Sequence, residues 1–214
     1  MSQRFATIIS YLFHPLLFAT YGAAFIVAVN PHLFAEYHLK AQILWIIITF
    51  IFTFMTPVIL IGMMKRLELI TDYQMTNPQE RIIPYILTAT LYLWTYRLFR
   101  PTTQATAFTN QLISLMMLGA SVAIFIGFFI NIFRKISIHA IGMGCMLGLV
   151  LVMMQVSDYD LKLVFVGVIM LGGLVGSARL ALDAHQQAEV YAGYLVGFIG
   201  MFFSFTLIPM LFTS

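Results

Sequence analysis

This chain of 214 residues is 61% hydrophobic and only 9% charged, with a mean hydropathy of +0.96. Because soluble domains carry about a quarter charged residues, this composition excludes a soluble globular domain and indicates an integral membrane protein. The net charge of +3 comes from basic residues spread between apolar segments, so we expect no nucleic-acid partner. Cys145 is the only cysteine, which excludes a disulfide framework within the chain.

Seven apolar segments follow one another along the chain, and several reach the roughly 20 residues that a membrane-spanning helix needs. Strands of a membrane barrel would be about ten residues long with alternating polarity. We therefore predict an all-α protein, a polytopic transmembrane bundle of about six to seven helices that forms one domain over residues 1–214. The segments lie at about 5–29, 41–64, 82–97, 112–133, 141–156, 163–175 and 190–212.

The first segment contains a histidine directly before a proline, His14-Pro15. In a membrane helix this pair is typical of a kink with a local hydrogen bond, since proline cannot donate to the preceding turn. We therefore predict a structural role for His14 and leave it out of the site.

Three polar loops carry the chemically informative residues, and each loop follows an even-numbered segment. The first ends at Arg81, the second covers residues 134–139, and the third covers residues 179–189. Spanning helices alternate in direction, so the three loops lie on one membrane face. Loops that only capped helices would not need two histidines, a carboxylate and several cations. We predict that they converge in a functional site.

The third loop carries Arg179, His185 and Glu189 within residues 177–197, SARLALDAHQQAEVYAGYLVG. At about 100° per residue these side chains fall within an arc of roughly 120°, so a continuous helix would carry all three on one face. Ionisable groups at membrane depth cost a few kcal/mol each and usually face a bundle interior, a cavity or a substrate path. This stretch is the centre of the predicted site.

The residues of these loops suit phosphoryl transfer. Arginine binds phosphate oxygens bidentately and stays charged. One histidine can attack phosphorus, and a second can act as general acid towards the leaving group. Glu189 lies one helical turn after His185, where it can accept a hydrogen bond from a ring nitrogen. This chemistry requires no metal and no cofactor.

Other uses of the same residues stay open. His139, His185 and Glu189 would suffice for a zinc site, although clustered arginines repel a dication and favour an anion. A lipid-phosphate binder or transporter would use the basic pocket without turnover. A b-type haem protein would use the two histidines as axial ligands.

The third loop resembles a motif of the type 2 phosphatidic acid phosphatases, membrane enzymes that also include lipid pyrophosphate phosphatases. The family's third motif is Ser-Arg, five residues, His, three residues, Asp. This chain has Ala178-Arg179, five residues, His185, three residues, Glu189.

The other two loops match the family's remaining motifs in part. Residues 136–139, ISIH, keep the serine and the histidine of the second motif, Pro-Ser-Gly-His. The first motif, Lys, six residues, Arg-Pro, is matched by Arg81, with Gln74 in place of the lysine and Pro84 displaced by two residues. The resemblance covers residues 81–197.

The resemblance implies a role for each matched residue. His185 would attack phosphorus to form a phosphohistidine, Glu189 would orient it, and His139 would protonate the leaving group and then activate water. The implied phosphate-binding residues are Arg179, Arg81 and Ser137. Lys135 is our own candidate to replace the charge missing at Gln74.

The substrate class follows from the position of the site at the ends of membrane helices. An amphiphile can leave its tail in lipid while its phosphate enters the basic loops, so we expect a lipid phosphomonoester or an isoprenyl (undecaprenyl) pyrophosphate. The resemblance further implies a bacterial inner membrane, with the site facing the periplasm.

Overall fold

The computed structural model describes residues 1–31, 39–73, 75, 78–100 and 107–212, and all regular structure among them is helical. This confirms the all-α class. Two 3-10 turns, Pro15–Leu17 and Pro78–Arg81, precede α2 and α5, and a π-helical turn, Ile51–Met55, joins α3 to α4. The α-helices are α1 (Gln3–Leu12), α2 (Phe18–Val29), α3 (Leu39–Phe50), α4 (Thr56–Arg66), α5 (Ile82–Phe99), α6 (Ala107–Phe133), α7 (Ile138–Val156), α8 (Lys162–Ala181) and α9 (Gln187–Phe212).

Six helical stretches in the described residues are long and apolar enough to cross a bilayer, so the chain is an integral membrane protein. α5 is not among the six, although its 18 residues give a length of about 27 Å. It packs along α6 inside the bundle, where the Ser121 hydroxyl donates to the Ala89 carbonyl at 2.9 Å. The six stretches are Gln3–Val29, Gln42–Arg66, Gln111–Phe133, Ile138–Val156, Lys162–Ala181 and Gln187–Thr206.

α7 and α9 run parallel in close backbone contact because glycines line their interface. A Cβ atom on Gly144 would collide with the Tyr194 carbonyl, and one on Gly197 would collide with the Ile141 carbonyl. Gly193 similarly faces the start of α7, so the small-residue pair Gly193 and Gly197 serves helix packing. This packing sets the first turns of α7 and α9 side by side.

The three polar loops lie at one end of the bundle. α5 and α6 are antiparallel, with the rings of Tyr85 and Phe128 6.3 Å apart, so α5 starts where α6 ends. A Cβ on Gly127 of α6 would meet the Ile141 side chain of α7, which puts the start of α7 at the same end. The end of α8 joins them, because Gly176 lies against Val190 in the first turns of α9.

The first apolar segment is broken between α1 and α2, as the His14-Pro15 pair predicted. His14 caps the 3-10 turn, with its Nδ1 accepting a hydrogen bond from the Leu16 N–H at 3.4 Å. The Tyr21 hydroxyl donates to the Leu12 carbonyl at 2.8 Å and satisfies one terminal carbonyl of α1. α1 packs along α8, with Ala6 fully buried in one cluster with residues of α8.

The helical-wheel argument does not hold across residues 177–197, because these residues do not form one continuous helix. α8 ends at Ala181, and Asp183 adopts the left-handed conformation with φ 49°. The Ala184 N–H then donates to the Arg179 carbonyl at 3.1 Å, which closes the helix end in the manner of a Schellman turn. Arg179 and His185 are therefore brought together by a chain reversal and not by sharing one helical face. Asp183 thus ends α8.

Candidate functional site

The site is centred on a histidine and a carboxylate at the corner between α8 and α9. His185 Nδ1 lies 2.8 Å from a carboxylate oxygen of Glu189, as the spacing of four predicted. Both side chains are largely buried, with 9% and 20% of their surface exposed. Because a carboxylate accepts, Nδ1 carries the hydrogen and Nε2 holds the lone pair. The ring is thereby oriented with Nε2 as its nucleophilic atom.

Glu189 also closes the start of α9. The same carboxylate oxygen accepts the backbone N–H of Gln186 at 3.2 Å, one residue before α9 begins. In a capping box, a glutamate at the third helical position accepts the backbone N–H of the N-cap residue in this way. One carboxylate thus fixes both the helix end and the histidine beside it.

Arg179 lies in the last turn of α8, where the helix dipole favours a cation. Its Nη1 donates to the Ser10 hydroxyl oxygen of α1 at 3.1 Å. Its Nε is buried and has no hydrogen-bond partner among the described residues. Buried guanidinium donors are normally paired, so this N–H points to an acceptor that the described part of the chain does not supply.

His139 occupies the first turn of α7 and is 9% exposed. Its Nε2 lies 3.2 Å from the backbone carbonyl oxygen of Ser10. A carbonyl only accepts, so Nε2 carries a hydrogen, and Nδ1 is the ring nitrogen left to take up or release a second proton. His139 and His185 therefore present opposite ring nitrogens to the site.

Ser137 is the N-cap of α7, fully buried, with its Oγ accepting the Ala140 N–H at 3.4 Å. Its backbone N–H donates to the Glu189 carbonyl at 3.3 Å, which ties the second polar loop to the third. Ser137 therefore holds His139 in register with His185. The starts of α7 and α9 also bring two positive helix ends to the site.

His14 is a site residue that the sequence interpretation left out. Its ring stands edge-on to that of His139, with centroids 5.9 Å apart and planes at 75°, and packs on its other side against Phe54 of the π-helical turn. The first segment does break at His14, and this break also places the His14 ring next to that of His139. The sequence did offer one indication: His14 is a polar residue at the predicted break of the first apolar segment.

Electrostatic interactions join these groups. His139 interacts with Arg179, His14 and His185, and His185 interacts with Arg179 and with the exposed Lys135. Lys135 therefore acts on the site from the second loop, as expected for a residue that adds positive charge there.

The pKa of His185 is held below its usual value of 6.5. Burial is the largest cause, because it disfavours the charged ring, and the positive charges of Arg179 and Lys135 act in the same direction. The hydrogen bond and the charge of Glu189 oppose the shift. The ring is therefore neutral at neutral pH, as a nucleophile must be.

Arg81 is held differently from Arg179. It closes the 3-10 turn before α5, and its Nε donates to the Met75 carbonyl at 2.6 Å. No hydrogen bond or ion pair within the described part of the chain joins it to the histidines. Gln74, the position that lacks the family's lysine, lies outside the described residues.

The described residues contain no group of three or more His, Cys, Asp or Glu arranged to hold a metal ion. His139, His185 and Glu189 thus do not form the predicted alternative zinc cluster. Arg179 and Lys135 add positive charge around the two histidines, which favours an anionic ligand.

Neither a family model, nor a curated protein, nor a solved structure matches this chain. The likeness to the type 2 phosphatidic acid phosphatases stands on the motif residues alone.

Proposed function

We propose that this protein is a membrane lipid phosphatase that works through a phosphohistidine, in the manner of the type 2 phosphatidic acid phosphatases. The observation that carries the proposal is the His185–Glu189 pair beside Arg179, whose buried Nε has no partner among the described residues. An activated nucleophile next to an unmatched cationic donor is what transfer of a phosphoryl group requires.

In the first step, His185 Nε2 attacks phosphorus and the bond from phosphorus to the lipid oxygen breaks. Glu189 stabilises the positive charge that develops on the His185 ring. For this step His139 must be the imidazolium, with hydrogen on both ring nitrogens, a form that the bound phosphate anion stabilises. It delivers the Nδ1 proton to the leaving oxygen, while the Ser10 carbonyl accepts from the Nε2 hydrogen.

In the second step, water attacks the phosphohistidine, and His139 Nδ1 takes a proton from that water. The phosphorus–nitrogen bond breaks, phosphate leaves, and both histidines return to their starting states. Arg179 binds phosphate oxygens throughout, and Lys135 and Arg81 add positive charge at the rim. Ser137 acts through the start of α7, whose positive end favours a bound anion.

The substrate is a lipid phosphomonoester or an isoprenyl pyrophosphate such as undecaprenyl pyrophosphate. The site lies where helices of a membrane bundle end, so the lipid tail stays in the bilayer while the phosphate reaches the histidines. The test is phosphate release by purified protein in detergent with EDTA, from phosphatidic acid, phosphatidylglycerol phosphate and undecaprenyl pyrophosphate.

We expect His185→Ala and His139→Ala each to abolish phosphate release, because each removes one of the two proton- or phosphoryl-transferring groups. Gln187→Ala, an exposed position two residues after His185, is the matched control and should keep wild-type activity. Size-exclusion chromatography and circular dichroism should show all three variants folded. Wild-type release in either histidine variant would refute the mechanism.

A trapping experiment separates turnover from binding. Substrate labelled on phosphorus should leave acid-labile label on the protein and none on His185→Ala. Phospholipid binding with neither release nor label would identify a non-catalytic binder or transporter, and a Soret band in the purified protein would identify a haem protein.

The location also belongs to the proposal: a bacterial inner membrane, with the site opening to the periplasm. Cys145 is the single cysteine and is buried, so Cys145→Ser gives a background free of thiols. In that background Arg134→Cys, at an exposed position before α7, should react with a membrane-impermeant maleimide added to intact spheroplasts. Labelling only after lysis would place the site on the cytoplasmic face.

A further inference from the structure

Ser10 touches both groups that would act on the phosphate, although it lies far from them in the sequence. Its hydroxyl oxygen accepts from Arg179 Nη1 at 3.1 Å, and its carbonyl oxygen accepts from His139 Nε2 at 3.2 Å. Ser10 is itself buried, with 9% of its surface exposed. A single residue of α1 thus contacts the cation and the acid–base histidine.

The Ser10 hydroxyl still has its hydrogen to donate. A hydroxyl offers one donor and two lone pairs, and the contact with Arg179 uses one lone pair. No acceptor within the described residues takes the hydrogen. The neighbouring Arg179 Nε is likewise buried without a partner among those residues. Two adjacent unmatched donors fit an anion with several oxygens, because buried donors normally find acceptors.

The packing of α1 on α8 explains how Ser10 reaches this place. Ala6 and Ala178 are both fully buried in the same apolar cluster. Ser10 lies one turn after Ala6, and Arg179 directly follows Ala178, so the packing of this cluster sets the hydroxyl beside the guanidinium. α8 itself offers no hydroxyl next to Arg179 on that side, since position 178 is alanine.

We propose that Ser10 is a substrate-binding residue, whose hydroxyl donates to an oxygen of the phosphoryl group that Arg179 binds. Its carbonyl meanwhile holds His139 in the tautomer with hydrogen on Nε2. This role rests on the proposed phosphatase function and adds a contact from α1 to the residues of the three polar loops.

The test compares the unaltered protein with Ser10→Ala and Thr7→Ala. Ser10→Ala removes the hydroxyl and leaves the backbone carbonyl that holds His139. Thr7→Ala removes a hydroxyl from the exposed side of the same helix, where it bonds only to the Gln3 carbonyl at 2.9 Å. Binding of inorganic phosphate is measured by calorimetry in detergent, and kcat and KM are measured for the lipid substrate.

We expect Ser10→Ala to weaken phosphate binding and to raise KM by about ten- to a hundredfold, the usual size of a lost hydrogen bond to a charged group. Thr7→Ala should bind and turn over like the unaltered protein. The pH dependence of kcat should be the same in both variants, because the Ser10 carbonyl is retained.

The alternative outcomes separate this proposal from the one above. Unchanged phosphate affinity and KM in Ser10→Ala would overturn the role of Ser10 and leave the phosphatase standing. Phosphate binding without turnover in the unaltered protein would overturn the phosphatase, and the affinity of Ser10→Ala would still decide the role of Ser10. Neither binding nor turnover in the folded, unaltered protein would overturn both.

Discussion

The two arginines of the candidate motifs lie in contrasting surroundings. Arg179 is half-buried at the end of α8, contacts α1, interacts with both histidines and keeps one buried N–H unmatched among the described residues. Arg81 lies at the start of α5, and its Nε is already taken by the Met75 carbonyl. The comparison teaches that a motif position identifies a charge, whereas the surrounding packing decides whether that charge is available to a ligand.

Among the charged neighbours of the two histidines, the largest effect is expected at Glu189, the carboxylate that contacts His185. Glu189→Gln should lower kcat/KM by about a hundredfold or more, because the neutral amide no longer stabilises charge on His185. Glu189 raises the His185 pKa, so its removal should lower that pKa further and move the acidic limb of the kcat/KM profile to lower pH. The measurement is kcat/KM from about pH 5 to 8.

Lys135→Gln is the matched comparison, because Lys135 acts on the His185 pKa in the opposite direction to Glu189. Lys135 lowers the His185 pKa, so its loss should move the acidic limb to higher pH, with kcat/KM at neutral pH within a few-fold of wild type. Glutamine can also fill the third position of a capping box, so Glu189→Gln should keep the stability of α9. If the acidic limb of the kcat/KM profile moved in the same direction in both variants, that limb could not report the titration of His185.

Substitution of the two arginines should lower kcat/KM by different amounts, both smaller than the loss in Glu189→Gln. Arg179→Lys keeps the charge but loses the planar array of donors, so we expect kcat/KM to fall about ten- to a hundredfold. Arg81→Lys should change it by less than about threefold, since that side chain is engaged by a loop carbonyl and adds only long-range charge. Equal losses at the two positions would show that Arg81 binds the phosphate as directly as Arg179.

Much of the fold and part of the site could be predicted because they depend on local pattern. Apolar run length indicated the membrane helices, and the alternation of helix direction put the three polar loops at one end. The spacing of four between His185 and Glu189 predicted their contact, which the structure places at 2.8 Å. The helical wheel did not describe residues 177–197 because Asp183 adopts a left-handed conformation that ends α8. The spacing of residues along the chain gives no indication of such a conformation.

The composition and apolar runs of this sequence determined by themselves a helical membrane protein with its polar loops on one face, because these features depend on length, polarity and neighbours within one turn. Only the tertiary structure brought Ser10 and His14 into contact with residues of the candidate site. The contacts of Ser10 with His139 and Arg179 join residues 129 and 169 positions apart. Such contacts arise because the first segment breaks at Pro15 and α1 packs on α8, and no pattern along the chain encodes where two helices meet.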